Sequence, residues 1–420
     1  MKTYLRVLRH RDFRYLFLSQ SASVLGDAVV IVAIALYVTQ TTGSPTDLGL
    51  VLGAQALSLV ALLLFGGVWA DRLPRHRIMI GADAIRAVLH AGLAALILAG
   101  ALRIWELIAI EAAFGAAQAF FQPAYSGLLP QTVSEALIPD ARALTQFVEE
   151  LAFLVGPALA TGLVLGIGAW EAFALDAATF VISAVLLSRV RPRARGEVKE
   201  EESVAHELRA GWREVRSRAW VWVTIASFSG ALLFVYSQWY ALAPVIARDV
   251  YGGAGVFGLL EAVAGAGAVI GALTGIKWKP ERPLRAGLMM VMAWPLENGL
   301  FALGAPLPLV AVCSFATGFG FALLIIWWET ALARHIPAHA LSRVSAYDWM
   351  GSAALLPVGY LVAGPLASVF GARTVLGVGS VIGLVVLAFA LVPKSTRELG
   401  DGRSAKHVPR EIRVEARSEA

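Results

Sequence analysis

The sequence contains one cysteine, few charges and no polar stretch long enough for a large soluble domain. A disulfide within the chain is impossible, because Cys313, inside an apolar segment, is the only cysteine. Charged residues make up 15% of the chain, whereas soluble globular proteins carry about 25%. Neither a glycine-rich phosphate loop, nor a Cys/His metal motif, nor a nucleophile–base set is visible. No cofactor, no metal and no enzymatic activity are therefore expected.

Apolar residues are abundant instead, and they form long blocks. They account for 58% of the chain, and a helix needs about 20 residues to cross about 30 Å of hydrocarbon. The sequence therefore predicts an all-α membrane protein with twelve transmembrane helices, which we name spans one to twelve. Their expected positions are 14–38, 48–70, 79–100, 104–125, 145–166, 171–188, 221–246, 255–276, 285–304, 308–329, 346–368 and 373–393.

Basic residues concentrate in alternate connections between the spans. If the N-terminus is cytoplasmic, the outer connections hold only Arg103, Arg248 and Arg373 of the 35 Lys and Arg residues. Cytoplasmic loops of membrane proteins collect Lys and Arg, so both termini are predicted to be cytoplasmic. The net charge of +5 then reflects topology, and no nucleic-acid partner is expected.

A polar stretch divides the spans six to six. Residues 189–220 form a predicted cytoplasmic linker between an N-terminal six-helix bundle, 1–188, and a C-terminal six-helix bundle, 221–393. The tail, 394–420, mixes both charges with few apolar residues, which predicts a disordered cytoplasmic segment.

The linker contains a candidate helix in "HELRAGWREVRSR". Leu208, Trp212 and Val215 share one helical face, and an amphipathic helix of this kind lies at the membrane surface. The alternative is a solvated linker.

The two halves carry the same features at a constant offset. Gly156-Pro157 in span five and Gly364-Pro365 in span eleven are 208 residues apart. Such an offset implies a duplicated six-helix unit, and two parallel six-helix repeats are the architecture of major facilitator transporters. Two further pairs are 207 residues apart, namely Arg75 with Arg282 and Pro130 with Pro337.

The segment "GGVWADRLPRHRIMI" joins spans two and three. It resembles the major facilitator superfamily signature at this position, which reads Gly, three residues, Asp-Arg, any residue, Gly-Arg-Arg/Lys. The residues that carry the resemblance are Gly67, Asp71, Arg72, Arg75 and Arg77.

The chain departs from that signature at Pro74, where glycine is usual, and at His76, so the turn is expected to be stiffer. The resemblance implies a gate on the cytoplasmic side. Asp71 would lie near the N-terminal end of span eleven, where a helix dipole favours an anion, and the arginines would pair with Glu329 and Asp348. Topology alone, which makes cytoplasmic loops basic, is the alternative explanation.

A second stretch, "FLVGPALATG", resembles the span-five motif of exporters in the superfamily. Proline removes a helical hydrogen-bond donor, so bends are expected at Gly156 and Pro157 and, in span eleven, at Gly364 and Pro365. The small residues of span five are also expected to admit span eight, although ordinary packing explains glycines as well. On span eight, the glycines at four-residue spacing are Gly267, Gly271 and Gly275.

Further stretches narrow the resemblance to the branch that contains enterobactin exporters and macrolide efflux pumps. The resemblance covers nearly the whole chain and implies a multi-pass protein of the bacterial inner membrane that works in efflux. We expect the protein to be a monomer. The stretches are "SVLGDAVVIVAIAL" (23–36), "FFQPAYSGLLP" (120–130), "ALDAATFVIS" (174–183) and "LLPVGYLVAGPLA" (355–367).

Ionisable residues within the spans indicate function, because each costs free energy in hydrocarbon. Helices one, four, seven and ten line the central cavity of this fold, which selects Asp27 and Glu111 as proton-coupling carboxyls. A structural hydrogen bond is the alternative role for Asp27. Asp83 and Arg86, three residues apart, are expected to neutralise each other. Two other polar residues, His90 in span three and Glu297 in span nine, are expected to pack, with local pairing also open to Glu297.

Span seven also carries aromatic residues. Tyr236 and Tyr240, one turn apart, offer a flat amphipathic surface to a bulky ring-containing substrate. The sequence thus predicts a proton-driven exporter of a drug such as a macrolide, or of a siderophore. A lysophospholipid flippase on the same fold and a non-transporting sensor or scaffold are the alternatives. The expected partners are the small-molecule substrate, protons and the lipid bilayer.

Overall fold

A computed structural model describes residues 4–134, 137–192 and 204–400 of the protein. These residues form helices joined by short connections, and no strand occurs among them. Twelve helical segments are long and apolar enough to cross a membrane. The predicted all-α membrane protein with twelve spans is therefore confirmed.

The first six spans are continuous helices, whereas three of the second six are interrupted. Spans one to six are Arg11–Thr41, Pro45–Arg72, Arg75–Leu98, Ile104–Thr132, Ile138–Gly166 and Ala169–Leu187. Span seven consists of Ala219–Ala231, a π-helical turn at Leu232–Tyr236, and Ser237–Val250. Spans eight to twelve are Gly255–Lys277, Pro283–Met290 with Ala293–Leu303, Leu307–His335, Ala338–Ala353 with Leu356–Phe370, and Ala372–Phe389.

The described residues fall into two compact units, and these do not follow the predicted boundaries of the two halves. The first unit takes its residues from Met1–Val198, Tyr240–Ala262 and Tyr360–Val369. It therefore contains spans one to six with parts of spans seven, eight and eleven. The second unit takes its residues from Lys199–Trp239, Val263–Gly359 and Phe370–Ala420. The division into bundles at 188 and 221 stays a prediction.

Within the first unit, span two packs along span four, and span three packs against span six. Membrane helices associate through close van der Waals contact, which small residues permit. A Cβ added to Gly115 would lie 2.1 Å from the carbonyl oxygen of Gln55. Only glycine therefore lets spans two and four approach so closely. Span one packs against spans five and six, which brings Asp27 close to the polar side chains of span three.

The second unit is built around tryptophan contacts. The rings of Trp220 and Trp328 are 5.5 Å apart and meet edge to face. The candidate helix of the linker forms at Val204–Ser217, where Val215 is buried in the core and Trp212 contacts Tyr347. The side chain of Leu208, the third residue of the predicted apolar face, lies outside the described residues.

Ordered structure extends beyond the predicted start of the disordered tail. Lys394–Glu398 forms a short helix, and Leu399 is fully buried in the core of the second unit. The prediction of disorder rested on the charged composition of the whole tail. It did not take into account that Leu399 can pack into an apolar core. The predicted disorder of residues 401–420 lies outside the described residues.

Candidate functional site

Two polar clusters lie inside the first unit, where spans three and six face each other. Asp83, Arg86 and His90 recur at intervals of three and four residues, which places them on one face of span three. Asp176 and Ser183 lie seven residues apart on span six. All five side chains are buried. The two helices therefore present matching polar faces to each other inside an apolar unit.

The arginine cluster consists of Asp27, Asp83, Arg86 and Ser183. Arg86 Nη2 donates to Asp83 Oδ1, which confirms the expected pair. Ser183 Oγ donates to Asp83 Oδ2 at 2.5 Å, and Arg86 Nη1 lies 3.9 Å from Asp27 Oδ2. The guanidinium also sits 4.2 Å from the ring centre of Phe180. Aspartates and an aromatic face together compensate the buried cation.

The histidine cluster consists of His90, Asp176 and Glu111. His90 Nδ1 lies 2.5 Å from Asp176 Oδ2, and His90 Nε2 lies 3.4 Å from Glu111 Oε1. The imidazole stacks on the ring of Phe114 at 4.3 Å. Neither oxygen of Glu111 accepts a hydrogen bond from a described residue, although Glu111 is fully buried. The cluster therefore contains a buried carboxyl group that lies beside a histidine.

The two predicted proton carriers belong to different clusters and differ in exposure. The Asp27 side chain is 28% exposed, whereas Glu111 is fully buried. Span one nevertheless approaches both clusters, since a Cβ added to Gly26 would lie 1.9 Å from Asp176 Oδ1. Of the four carboxyl groups in the two clusters, Asp27 is therefore the partly exposed one, and the other three are buried.

The expectation that His90 packs without a polar partner is wrong, because two carboxyl groups flank its ring. The sequence contained a signal that could have identified it. His90 follows Arg86 by four residues and Asp83 by seven, so the three share a helical face. Asp176, in span six, repeats the seven-residue interval with Ser183.

The loop between spans two and three is held by Arg75, the first residue of span three. Arg75 Nη1 donates to the carbonyl of Gly127 at 2.6 Å, and Arg75 Nε donates to the carbonyl of Ala70 at 3.3 Å. Arg72 and Arg77 are exposed.

The remaining members of the predicted gate are placed as follows. A Cβ added to Gly67 would meet no other atom within 4 Å, and the side chain of Asp71 lies outside the described part of the chain. Of the two predicted partners, Glu329 is exposed, and Asp348 accepts a hydrogen bond from Trp328 Nε1 at 2.7 Å. The pairing of the loop arginines with these carboxylates stays a prediction.

The Gly-Pro positions of spans five and eleven are sites of close helix contact. Cβ atoms added to Gly156 and Gly364 would lie 2.6 Å from Ala28 Cβ and 2.2 Å from Thr46 Cα, respectively. Span five continues as one helix through Pro157. Span eleven is interrupted after Ala353, well before Pro365.

The prediction that span eight packs on the small residues of span five through its own spaced glycines is only partly correct. Span eight does contact span five, but through Gly258, whose added Cβ would lie 1.8 Å from Thr161 Oγ1. The glycines named from spacing face span ten instead, because Gly267 and Gly271 abut the backbone of Phe315 and Phe319. Helix spacing defined a small-residue face but not the helix that covers it.

The two tyrosines of span seven have different surroundings. Tyr236, at the end of the π-helical turn, packs edge to face on Trp294 at 6.1 Å. Tyr240 donates a hydrogen bond from its hydroxyl to Glu261 Oε2 at 2.6 Å. Their contact with a substrate stays a prediction. Glu297, in span nine, accepts a hydrogen bond from Ser314 at 2.5 Å.

Comparison with known proteins gives relatives along most of the chain. Residues 2–281 match the family described as "Transmembrane secretion effector" within the major facilitator superfamily. An uncharacterised major facilitator transporter of Bacillus subtilis, YvqJ, is 24% identical over 92% of this chain and 94% of that protein. The enterobactin exporter EntS of Shigella boydii is 29% identical over 91% of this chain and 92% of that protein. Macrolide efflux protein A of Streptococcus pyogenes is 28% identical over 62% of this chain and 65% of that protein.

Solved structures share the fold at low sequence identity. A variant of the nucleoside transporter NupG superposes with a TM-score of 0.70 at 13% identity, covering 91% of this chain and 99% of that one. A bacterial homologue of the human lysosomal transporter Spinster, inward-facing and unoccupied, gives 0.69 at 15% identity over 96% of this chain and 99% of that one. The bacterial relatives and the twelve spans support a multi-pass protein of the bacterial inner membrane. The chain is a member of the major facilitator superfamily and belongs to its transmembrane secretion effector family.

Proposed function

We propose that the protein exports a bulky amphipathic small molecule in exchange for protons, by alternating access. The observation that carries the proposal is the charge content of the arginine and histidine clusters. Together they hold four carboxyl groups, one guanidinium and one imidazole. If every carboxyl were ionised and the imidazole neutral, four negative charges would face one positive charge. A largely apolar interior does not retain such an excess, so these clusters bind protons.

Asp27 is the carboxyl that couples proton movement to transport. A coupling carboxyl must exchange protons with water in at least one state. Its distance from a neighbouring positive charge must also differ between states, so that its affinity for a proton changes. Asp27 is partly exposed and lies beside Arg86, which satisfies both requirements. Movement of span one relative to span three would change the Asp27–Arg86 distance and hence the affinity of Asp27 for a proton.

The substrate class follows from the relatives and from span seven. Two relatives are named for the export of enterobactin and of macrolides, which are bulky ring-containing molecules. Tyr236 and Tyr240 would supply aromatic surface and hydroxyl groups to such a substrate. A macrolide or a catecholate siderophore is therefore the substrate class that we favour.

The loop of Gly67, Asp71, Arg72, Arg75 and Arg77 would act as a gate on the cytoplasmic side. Its carbonyl contacts through Arg75 give it a defined shape at the ends of spans two and four. In one state of the cycle, its exposed arginines would pair with carboxylates of the other half, for which Glu329 and Asp348 are the candidates. The bends predicted at Gly156, Pro157, Gly364 and Pro365 would form or straighten in the same rearrangement.

The proposal is tested by counterflow in proteoliposomes with three probes: erythromycin, enterobactin and a lysophospholipid. We expect exchange of erythromycin or enterobactin, and accumulation of the same probe when a pH gradient is imposed. Exchange of the lysophospholipid alone would identify a flippase instead. If none of the probes exchanges while the protein is correctly inserted, the proposed substrate class is wrong.

A further inference from the structure

We propose that His90, Asp176 and Glu111 form a second proton-binding site, which holds an exchangeable proton between Glu111 of span four and Asp176 of span six. The proposal rests on the proposed function of proton-coupled export, but it assigns a role to residues other than the accessible carboxyl. Its basis is the geometry of the histidine cluster, in which one imidazole joins two fully buried carboxyl groups.

With Asp176 ionised, the contacts of His90 determine which ring nitrogen donates. Asp176, when ionised, can only accept hydrogen bonds, so the short Nδ1 contact requires a proton on Nδ1. Thr179 Oγ1 donates its proton to the backbone carbonyl of Asp176 at 2.7 Å and lies 3.4 Å from Asp176 Oδ1. The basic lone pair of the neutral imidazole is then on Nε2, which faces Glu111 at 3.4 Å.

Glu111 supplies the exchangeable proton. A fully buried carboxylate without a hydrogen-bond donor is strongly disfavoured, so the charged form needs a cation beside it. Two arrangements satisfy this requirement: a protonated Glu111 next to neutral His90, or an ionised Glu111 next to His90 that is protonated on both nitrogens. Either arrangement holds one proton between Glu111 and His90, and the two differ only in its position.

Proton transfer through the cluster balances in two steps. The O–H bond of Glu111 breaks as an N–H bond forms at Nε2, which leaves a glutamate and an imidazolium. The Nδ1–H bond then breaks as an O–H bond forms on Asp176, which leaves a neutral imidazole in its other tautomer. The net result is that one proton has moved from Glu111 to Asp176.

The cluster is placed between the predicted outer surface and Asp27. Glu111 lies seven residues from Ile104, where span four begins, which corresponds to about 10 Å along the helix axis. At the other end, Asp176 packs against Gly26, the residue before Asp27. The groups that face His90 in this region are Asp176 and Glu111, and the next charged groups on span three are Arg86 and Asp83.

A metal ion would be the competing occupant of a site with one histidine and two carboxyl groups. Among the described residues, no group of three or more His, Cys, Asp or Glu side chains is arranged to hold a metal ion. The stacked ring of Phe114 and the edge of Phe173 also surround the imidazole with apolar surface. The site therefore suits a proton, which needs no further ligands.

The test compares His90→Gln and Glu111→Gln with wild type and with His10→Gln, which makes the same chemical change outside the spans. The variants are reconstituted with erythromycin or enterobactin, whichever exchanges. We expect both cluster variants to lose at least tenfold in pH-gradient-driven accumulation, while exchange without a gradient persists. His10→Gln should match wild type in both assays.

A second readout measures protons directly. Addition of the same probe to purified protein in weakly buffered detergent should release protons, which a pH-indicator dye detects. If the histidine cluster binds its own proton, Asp27→Asn should reduce this release without abolishing it, and the double variant Asp27→Asn/His90→Gln should abolish it. If His90→Gln does not fold, Glu111→Gln, which keeps the size of the side chain, replaces it in both experiments.

The outcomes separate the two proposals. If wild type exchanges the probe but does not respond to a pH gradient, the proposed proton coupling fails. If wild type responds and both cluster variants respond equally well, the coupling stands and the role of His90 is overturned. Complete loss of proton release in Asp27→Asn alone would likewise show that the histidine cluster stores no exchangeable proton.

Discussion

Arg86 Nη1 lies 3.9 Å from Asp27 Oδ2, and the two residues differ sharply in exposure: 1% for Arg86 and 28% for Asp27. A buried cation therefore stands directly behind an accessible carboxyl group. Because Arg86 remains charged at every physiological pH, its distance from Asp27 would, in the proposed mechanism, set how readily Asp27 releases a proton. We propose that a change of conformation becomes a change of protonation at this pair.

The first prediction concerns Asp27 itself. Asp27→Asn should abolish substrate accumulation driven by a pH gradient, because the site is then permanently neutral and binds no proton. Exchange of substrate down its own gradient should persist, since that movement requires no change of protonation. The measurement is paired: accumulation and exchange from the same proteoliposomes, with the inserted amount determined for each.

The matched control is Asp249→Asn, which makes the same change at an exposed aspartate paired with Arg248. Exposed pairs contribute about 0–1 kcal/mol, so this variant should retain both activities. Uphill accumulation that survives in Asp27→Asn would assign Asp27 a structural hydrogen bond and remove it from the coupling mechanism.

The second prediction concerns the stability of the arginine cluster. Arg86→Met removes the cation beside Asp83 and leaves a buried carboxylate, for which a loss of about 3–5 kcal/mol in the free energy of unfolding is expected. Asp83→Asn in the same chain removes that carboxylate, so the double variant should be more stable than the sum of the single effects implies.

Thermal unfolding of the purified variants in detergent measures these differences. Arg285→Met, at an exposed arginine of the second unit, is the control for the loss of positive charge. Strictly additive effects of Asp83→Asn and Arg86→Met would mean that the two side chains do not depend on each other in the folded protein.

The third prediction concerns the loop between spans two and three. Arg75 bonds two carbonyl oxygens through different nitrogens of its planar fork, and lysine cannot reproduce that geometry. Gly127→Ala should act on the same contact from the other side, because the added Cβ would lie 2.2 Å from Arg75 Cζ. Arg75→Lys and Gly127→Ala should each lower the transport rate several-fold. Because both disturb the same contact, the double variant Arg75→Lys/Gly127→Ala should be little slower than either single variant.

The assay is the initial rate of counterflow, normalised to inserted protein. Gly92→Ala is the control for glycine replacement in a span, because its added Cβ would meet no atom within 4 Å. Wild-type rates in both Arg75→Lys and Gly127→Ala would show that the fixed shape of this loop is not required for transport.

Long-range periodicity made the fold predictable, because twelve apolar blocks of membrane length can form only a few architectures. Constant offsets between the halves then predicted the repeat. Interruptions within spans seven, nine and eleven were not predictable in the same way. They occur inside apolar segments, and only the packing of neighbouring helices determines where the backbone departs from a regular helix.

The site was predictable one helix at a time but not across helices. The Asp83–Arg86 pair follows from spacing on a single helix, and it is present. The His90–Asp176 contact joins residues 86 positions apart, so no local rule identifies it. Spacing nevertheless indicates which residues could meet. Asp83 and His90 are seven residues apart, as are Asp176 and Ser183, so two antiparallel helices can bring both pairs of residues into contact at once.

The glycine contacts were also predictable on a single helix but not between helices. Four-residue spacing on span eight indicated a close approach, and close approaches do occur, but the neighbour is span ten at Gly267 and Gly271. A small-residue face reports that some backbone comes near. It carries no information about which of the eleven other spans supplies that backbone.

The last prediction concerns the contact between spans two and eleven in the first unit. A Cβ added to Gly364 would lie 2.2 Å from Thr46 Cα, so Gly364→Ala requires the backbone of one helix to move. Transport depends on a balance of states separated by a few kcal/mol, and a change of about 1.4 kcal/mol shifts such a balance tenfold. We therefore expect Gly364→Ala to depopulate the state with this contact and to slow exchange.

Thiol labelling can follow that shift, because Cys313 is the only cysteine and can be replaced by serine. In this background, Thr46→Cys should react faster with a maleimide when Gly364→Ala is also present. Gly162→Ala is the matched control, since its added Cβ would meet no atom within 4 Å, and it should leave labelling unchanged. Equal labelling rates with and without Gly364→Ala, together with wild-type exchange, would mean that spans two and eleven keep this contact by other residues. Faster labelling with slower exchange would show that the contact at Gly364 belongs to a state through which the transport cycle must pass.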